Sequence, residues 1–345
     1  PALYRVEVRL LGDGPEPEDR VESYFGLRRI ESRWAPGHGP RDGVPPEEQY
    51  QYLYLNGRPF YLRGVLDQGY NPWGIHTYRA YEDPEKGSVR FDVRKAAEYG
   101  YNTLRMHIKE NEPLWYYACD AAGVAVWTEH PGNVHAVPEN ARWRAAYRRE
   151  LENMVRRNRC HPSVLIYSTI NESWGVQGKE CSSPWDVPER QAFQREMALL
   201  CRKLDPSRLV CDNSGFGKTQ AGQIDDFHSY PPSYDAAVRE WESLSEKIHP
   251  GSAYNYYNAE NGGGATGKER QTGCVAVVSE FLHTDSMEQL VRRFPKFGGY
   301  VRMNLASAQG EDYSPLTATR DERELGFVHP DLSPAGYAMV NRADL

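Results

Sequence analysis

The chain has 345 residues, is 39% hydrophobic and 12% aromatic, and carries a formal net charge of −7. That length accommodates one large domain, or a large domain with a small companion. The acidic balance argues against nucleic acid as the main partner, and no run of 18 apolar residues exists that could span a membrane as a helix.

The chain opens on "PALYRVEVRLL", without Met and already inside a strand pattern. It reads as a trimmed fragment. No signal peptide opens it, which favours a cytoplasmic location. Alternating apolar and polar residues in "LYRVEVRLL" and "RVESYFGLRRIESRW" predict half-buried strands, separated by the turn-rich "GDGPEPED". The Pro/Gly-rich "APGHGPRDGVPPEE" reads as a linker. Residues 1–48 are therefore expected to be the tail of a β-sandwich, or a short piece packed on the next domain, since a few strands and a linker do not make a stable domain alone.

From residue 49 to 345, short apolar runs alternate with helical patterns. The runs predicted as strands are Phe60–Val65, Thr103–His107, Val124–Thr128, Val164–Thr169, Leu209–Asp212, Asp226–His228, Val275–Ser279 and Gly299–Leu305. Helices are predicted in "DVRKAAEYG" and "PLWYYACDAAG", which stop at Gly100 and Gly123, and in "WRAAYRRELENMVRRNR" and "PERQAFQREMALLCRKLD". Strands alternating with helices in this number predict an α/β fold, a (β/α)8 TIM barrel. An open doubly wound sheet would need a Gly-rich phosphate loop, and neither GxGxxG nor a Walker pattern is present. "NGGGATGKER" (261–270) lacks the Walker order and reads as a loop over the site.

A barrel of this kind places its chemistry at the C-terminal ends of its strands. Those ends are polar here: Asp67, Arg105 and His107, Glu129 and His130, Asn171 and Glu172, His228 and Tyr230, Glu280, and Asn304. Glu172 and Glu280 both follow strand-like runs, "VLIYSTINE" and "CVAVVSE", on opposite sides of the predicted barrel. Two facing carboxyls suit glycoside hydrolysis, one giving a proton to the leaving oxygen and the other attacking the anomeric carbon. Glu129 reads as an ion-pair partner. The histidines show no HxH or HExxH spacing, and the six cysteines no CxxC pair, so no metal site, no cofactor and no disulfide framework are expected. The 23 Tyr and 8 Trp suit either a sugar-stacking cleft or a core.

"YLNGRPFYLRGV", "YGYNTLRMH", "CDAAGVAVWTEHP", "MVRRNRCHPSVLIYSTINES" and "VVSEF" together resemble glycoside hydrolase family 2, the family of β-galactosidases, β-glucuronidases and β-mannosidases. The resemblance implies a catalytic barrel over 49–345. It also implies that residues 1–48, especially "SYFGLRRIE", end an immunoglobulin-like domain, with the family's N-terminal sugar-binding domain absent. It further implies that Glu172 is the general acid/base and Glu280 the nucleophile. Asn171 would bind the sugar 2-hydroxyl, and Arg105 would keep the nucleophile ionised. Tyr230 would bond the nucleophile or the ring, and His107, His130, His228 and Trp174 would line the subsite, as would Asp67 and Asn304 at their strand ends.

The implied function is a retaining exo-β-glycosidase, β-galactosidase-like, acting on a carbohydrate or glycoconjugate; a homo-oligomer is left open. Departures from the family pattern occur after strand one, "LDQGYNPWG", and at strand eight, "YVRMNLASAQGED". They keep two alternatives in play: a barrel redirected to a non-standard glycoside or small-molecule conjugate, and a non-catalytic glycan-binding protein. For the leading function, Glu172 is expected to have a raised pKa and Glu280 a lower one.

Overall fold

The computed structural model describes residues 2–70, 88–132, 140–173, 188–215, 221–229, 233–246, 288–308 and 314–322, with 176, 218, 219, 231 and 248, and the backbone of 255–261. Strands β1 (Tyr4–Leu11) and β2 (Pro17–Phe25) form an antiparallel hairpin. Strands β3 (Ile30–Trp34), β4 (Gln51–Leu55) and β5 (Arg58–Pro59) form a separate antiparallel sheet. This second sheet crosses position 48, because Ile30 pairs with Leu55 and Trp34 with Gln51.

The remaining strands close into a parallel barrel. They are β6 (Leu62–Asp67), β7 (Thr103–Met106), β8 (Ala125–Glu129), β9 (Val164–Ser168), β10 (Leu209–Cys211), β11 (Ile224–His228), β12 (Asn255–Asn261) and β13 (Phe297–Arg302). Neighbours pair in chain order and β13 returns to β6, with Val301 opposite Gly64. Buried on both faces, most of these strands are nearly continuous apolar runs, as parallel strands are; all five residues of β9, "VLIYS", are buried.

The seventh strand corrects the sequence reading. Asn255–Asn261 holds that place, between β11 and β13, and Val275–Ser279 lies outside the described residues. The physical reason is compositional: "NYYNAEN" has no unbroken apolar run, the signal by which the other strands were recognised.

Helices α1 (Val89–Glu98), α2 (Pro113–Ala122), α3 (Ala141–Asn158), α4 (Pro188–Leu204) and α5 (Tyr234–Glu246) belong to the layer outside the barrel. Their ends follow local chemistry. Ser88 caps α1 by accepting from the Arg90 amide, and Asn140 caps α3 by accepting from those of Arg142 and Trp143. Pro113 opens α2, where its missing N–H costs nothing, and Gly123 closes it at φ 73°.

Side-chain alternation divides the strands into two faces. Leu62, Leu66, Trp127, Ile166, Cys211, Ile224, Val301 and Met303 fill the barrel interior. Val65, Leu104, Val126, Tyr167 and Val210 face the helices together with Trp115 and Trp241. All eight of the chain's tryptophans could have served a sugar platform, yet the fully buried Trp115, Trp127 and Trp241 are core. Four described cysteines are free thiols, Cys119, Cys201 and Cys211 buried and Cys160 exposed. No described helix is long and apolar enough to cross a membrane.

Candidate active site

The C-terminal end of the barrel brings together Arg105, His107, Glu129, Asn171, Glu172 and His228. Arg105, fully buried on β7, is the hub. Its Nη2 donates to Asn171 Oδ1 at 2.7 Å and to Glu129 Oε2 at 2.8 Å, and its Nε donates to Glu129 at 3.2 Å. Below it, the guanidinium carbon lies 5.5 Å from the ring centre of Trp127, a cation–π contact. Trp127 is itself pinned by donating Nε1–H to Ser168 Oγ at 2.6 Å. The amide Nδ2 of Asn171 lies 3.2 Å from His107 Nε2. Burial, then the charge of Arg105, pushes the His107 pKa well down, so that ring is neutral and accepts from the amide. Glu129 is the ion-pair partner its position suggested, with both charged side chains inaccessible to water.

Glu172 is held from both sides. Its own amide donates to Ser214 O at 2.9 Å, and Ser214 N donates to Ile170 O at 2.9 Å, so the segment after β9 is stitched to the segment after β10. Glu172 and Ser173 follow with φ 47° and 62°, a left-handed pair that L-residues seldom adopt and that clusters at functional sites. The Glu172 carboxylate meets His228: Nδ1 lies 2.6 Å from Oε1, and a quarter of the Glu172 side chain stays exposed. Burial pushes this carboxyl up, but the hydrogen bond and charge of His228, with Arg105 behind, outweigh it and leave the pKa below the usual value. The expected raised pKa is therefore not found. The sequence placed His228 at the rim but could not show that it touches Glu172.

Other predicted residues lie elsewhere. Glu129, the last residue of β8, points into the barrel, and His130, which follows it, points outward by simple alternation. The His130 ring stacks on Tyr147 of α3 with centroids 3.9 Å apart, and burial pushes its pKa down to about 3. Asp67 likewise follows the outward phase of Val65. It faces α1, accepts from Gly69 N at 2.7 Å, and is pushed up to about 6 by burial and then by the Asp92 charge. The structure does not bring either residue into the Arg105 group. Asn304, buried, follows β13 across a cis Met303–Asn304 peptide and precedes Leu305, whose amide donates to Leu66 O at 2.8 Å on β6. Trp174, Tyr230 and Glu280 lie outside the described residues.

Sequence reasoning missed three members of this end of the barrel: Ser214, Lys218 and Asp226. One signal was available, because Asp226 and His228 are two apart on one strand and so share a face. Among the described residues, no three His, Cys, Asp or Glu side chains form a metal-ligand cluster. A cavity of about 270 Å³ sits at the opposite end of the barrel, lined by Leu27, Phe60, Val124, Pro162 and Leu165 among others. It is mostly apolar and contains none of the converging polar groups.

A closed parallel barrel with buried cation, amide and carboxylate at its C-terminal rim defines a (β/α)8 enzyme architecture. The family model "Glycosyl hydrolases family 2, TIM barrel domain" matches residues 48–252, more than half of the chain. The chain belongs to glycosyl hydrolase family 2.

Relatives include the β-galactosidase of Vibrio cholerae, 25% identical over 72% of this chain and 22% of that protein. The β-galactosidase of Photobacterium profundum is 30% identical over 65% of this chain and 19% of that protein. The match thus spans about a fifth of the length of those relatives. Among solved structures, a Bacteroides uniformis β-glucuronidase superposes with a TM-score of 0.74 at 18% identity, over 99% of this chain and 40% of that one.

Proposed function

We propose that this barrel is the catalytic part of a retaining exo-β-glycosidase, β-galactosidase-like in substrate, working through Glu172 as general acid/base and Glu280 as nucleophile. The observation that carries the reading is the Asn171–Glu172 pair at the end of β9. Arg105 orients the amide at 2.7 Å, and His228 lies 2.6 Å from the carboxyl that stays partly open to solvent. An amide beside a proton-exchanging carboxyl suits a sugar ring whose hydroxyl is bound while the neighbouring glycosidic oxygen is protonated. The fixed dipoles and charges are assembled before substrate arrives, as electrostatic catalysis requires. The names of the sequence relatives support a galactoside. Residues 1–48 fit the edge of an immunoglobulin-like unit, although β3 pairs with β4 across that boundary.

The test uses nitrophenyl β-galactoside, glucuronide, glucoside and mannoside. Wild-type cleavage of one sugar names the substrate class. Glu280→Gly with added azide is expected to release a glycosyl azide of inverted configuration. Glu260→Gly is the matched control, because the register of β11 and β12 sets Glu260 opposite His228 at the end of the seventh strand. Azide rescue in Glu260→Gly and not in Glu280→Gly would move the nucleophile to that strand. A folded protein that cleaves none of the four sugars would favour the redirected or glycan-binding alternative.

A further inference from the structure

Behind Glu172 runs a line of hydrogen bonds that the two-carboxylate reaction does not use. His228 Nδ1 lies 2.6 Å from Glu172 Oε1, and His228 Nε2 lies 3.1 Å from Ser214 Oγ. Ser214 Oγ bonds Asp226 Oδ2. The other oxygen of Asp226 accepts from Lys218 Nζ and, at 3.2 Å, from the Gly215 amide. Asp226, Ser214 and His228 are almost wholly buried.

The proton count along this line is constrained. Ser214 has one hydroxyl hydrogen, and an ionised Asp226 offers only lone pairs. The hydroxyl therefore donates to Asp226 and its oxygen can only accept, so the nearest ring nitrogen, His228 Nε2, must carry a hydrogen. Among the described residues the competing donor is Arg105 Nη1, 3.5 Å from the same nitrogen and at the limit of hydrogen-bond range. With Nε2 protonated, the short Glu172–Nδ1 contact holds one more proton, resting on the ring or on the carboxyl.

We propose that Asp226, acting through Ser214, is a positioning group that fixes the His228 tautomer and makes the Glu172–His228 pair a single proton store for the acid/base step. This rests on the assignment of Glu172 as acid/base. Lys218 keeps Asp226 ionised: burial alone would push that carboxyl up, but Lys218, His228 and Arg105 hold it down to about 2. The same logic, a buried carboxylate selecting an imidazole tautomer, operates in hydrolytic triads.

The charged groups around the pair come from every side. Arg105 approaches from β7, with Glu129 bound to it. His107 is reached through Asn171. Lys218 stands over Asp226, with Asp225 4.0 Å away and Asp212 nearby. Glu240 of α5 faces the neighbouring Ser229, and β12 runs alongside with Glu260 in register.

The experiment is ring-nitrogen ¹⁵N NMR of His228 across pH in the wild type, Asp226→Asn, Ser214→Ala and Ser214→Thr, with His228→Asn for assignment. In the wild type, Nε2 is expected to stay protonated at neutral pH, and the Nδ1 signal to change in Glu172→Gln. Asp226 Oδ2 is 4.0 Å from Nε2. Removing that negative charge should move the pair's titration to lower pH by about one unit or more, the size of a nearby charge effect. Ser214→Ala should free Nε2 of its proton, and Ser214→Thr, which keeps the hydroxyl, should restore it.

A wild-type His228 with unprotonated Nε2 at neutral pH, or a folded Asp226→Asn with an unchanged titration, overturns the proposal. The pH–rate profile of Glu172→Gln separates the two claims. Loss of the alkaline limb supports Glu172 as the acid; a retained limb removes that role, whatever the NMR titration shows.

Discussion

Asp67 permits a test in which stability and pH are tied by sign as well as size. The residue is 4% exposed, and among the described residues one carboxyl oxygen accepts from Gly69 while Oδ2 meets no donor. Burial and then Asp92 raise its pKa from 3.8 to about 6. A carboxyl raised in the folded state favours folding when protonated, below its unfolded pKa. That contribution is lost as pH rises through the folded value. The loss totals about 3 kcal/mol, of which about 1.4 kcal/mol falls between about pH 5 and about pH 8.

Asp67→Asn cannot ionise, so it should gain on the wild type by that amount over the same interval. The assay is urea denaturation of both proteins at the two pH values, followed by tryptophan fluorescence. Taking the difference between pH values cancels whatever the Asn amide does to local packing. An identical gap at the two pH values would show that Asp67 titrates normally and refute the burial argument.

Two further outcomes follow from the site. Glu129→Gln removes the carboxylate that balances Arg105 where neither side chain reaches water, so unfolding should be easier by about 3–5 kcal/mol; a change below about 1 kcal/mol by denaturant titration would mean the pair carries little of that balance. Gly215 sits at φ 82°, and a Cβ there would lie 2.4 Å from His228 Nδ1. Gly215→Ala should displace the ring from Glu172 and lower kcat about 10²-fold, with a far smaller change in KM; wild-type kcat in that variant would show that the ring position is not needed.

Much of the barrel was legible because its strands are buried on both faces and so spell continuous apolar runs; β9, "VLIYS", is the plainest. The seventh strand was not, because Asn255–Asn261 lacks that run. At the site, the strand-end rule found Arg105, His107, Asn171, Glu172 and His228, which the structure brings together. It also named His130 and Asp67, whose side chains face the helices. The rule locates an end of a strand, and only the phase of alternation says which way a residue there points. That phase could have been read from Trp127 to Glu129 on β8. The contact of His228 with Glu172 could not, since it depends on how β11 sits beside the segment after β9.

Several unfavourable features of the described residues meet at one end of the barrel. Glu172 and Ser173 hold left-handed backbone, Arg105 and Glu129 bury opposite charges, and Lys218 and Asp226 bury another pair. These lie at the C-terminal end of the barrel, on strands β7, β8 and β11 and the segments after β9 and β10; other buried pairs, such as Arg208–Asp205 and Arg320–Asp92, lie away from this group. The opposite end holds a mostly apolar cavity. A barrel optimised for stability alone would gain by replacing such buried charges with packed apolar groups. Their convergence around one partly open carboxylate is what a preorganised proton-transfer site requires. That is why adding a side chain at Gly215 or removing the charge at Asp226 should change chemistry and pH response before it changes the fold.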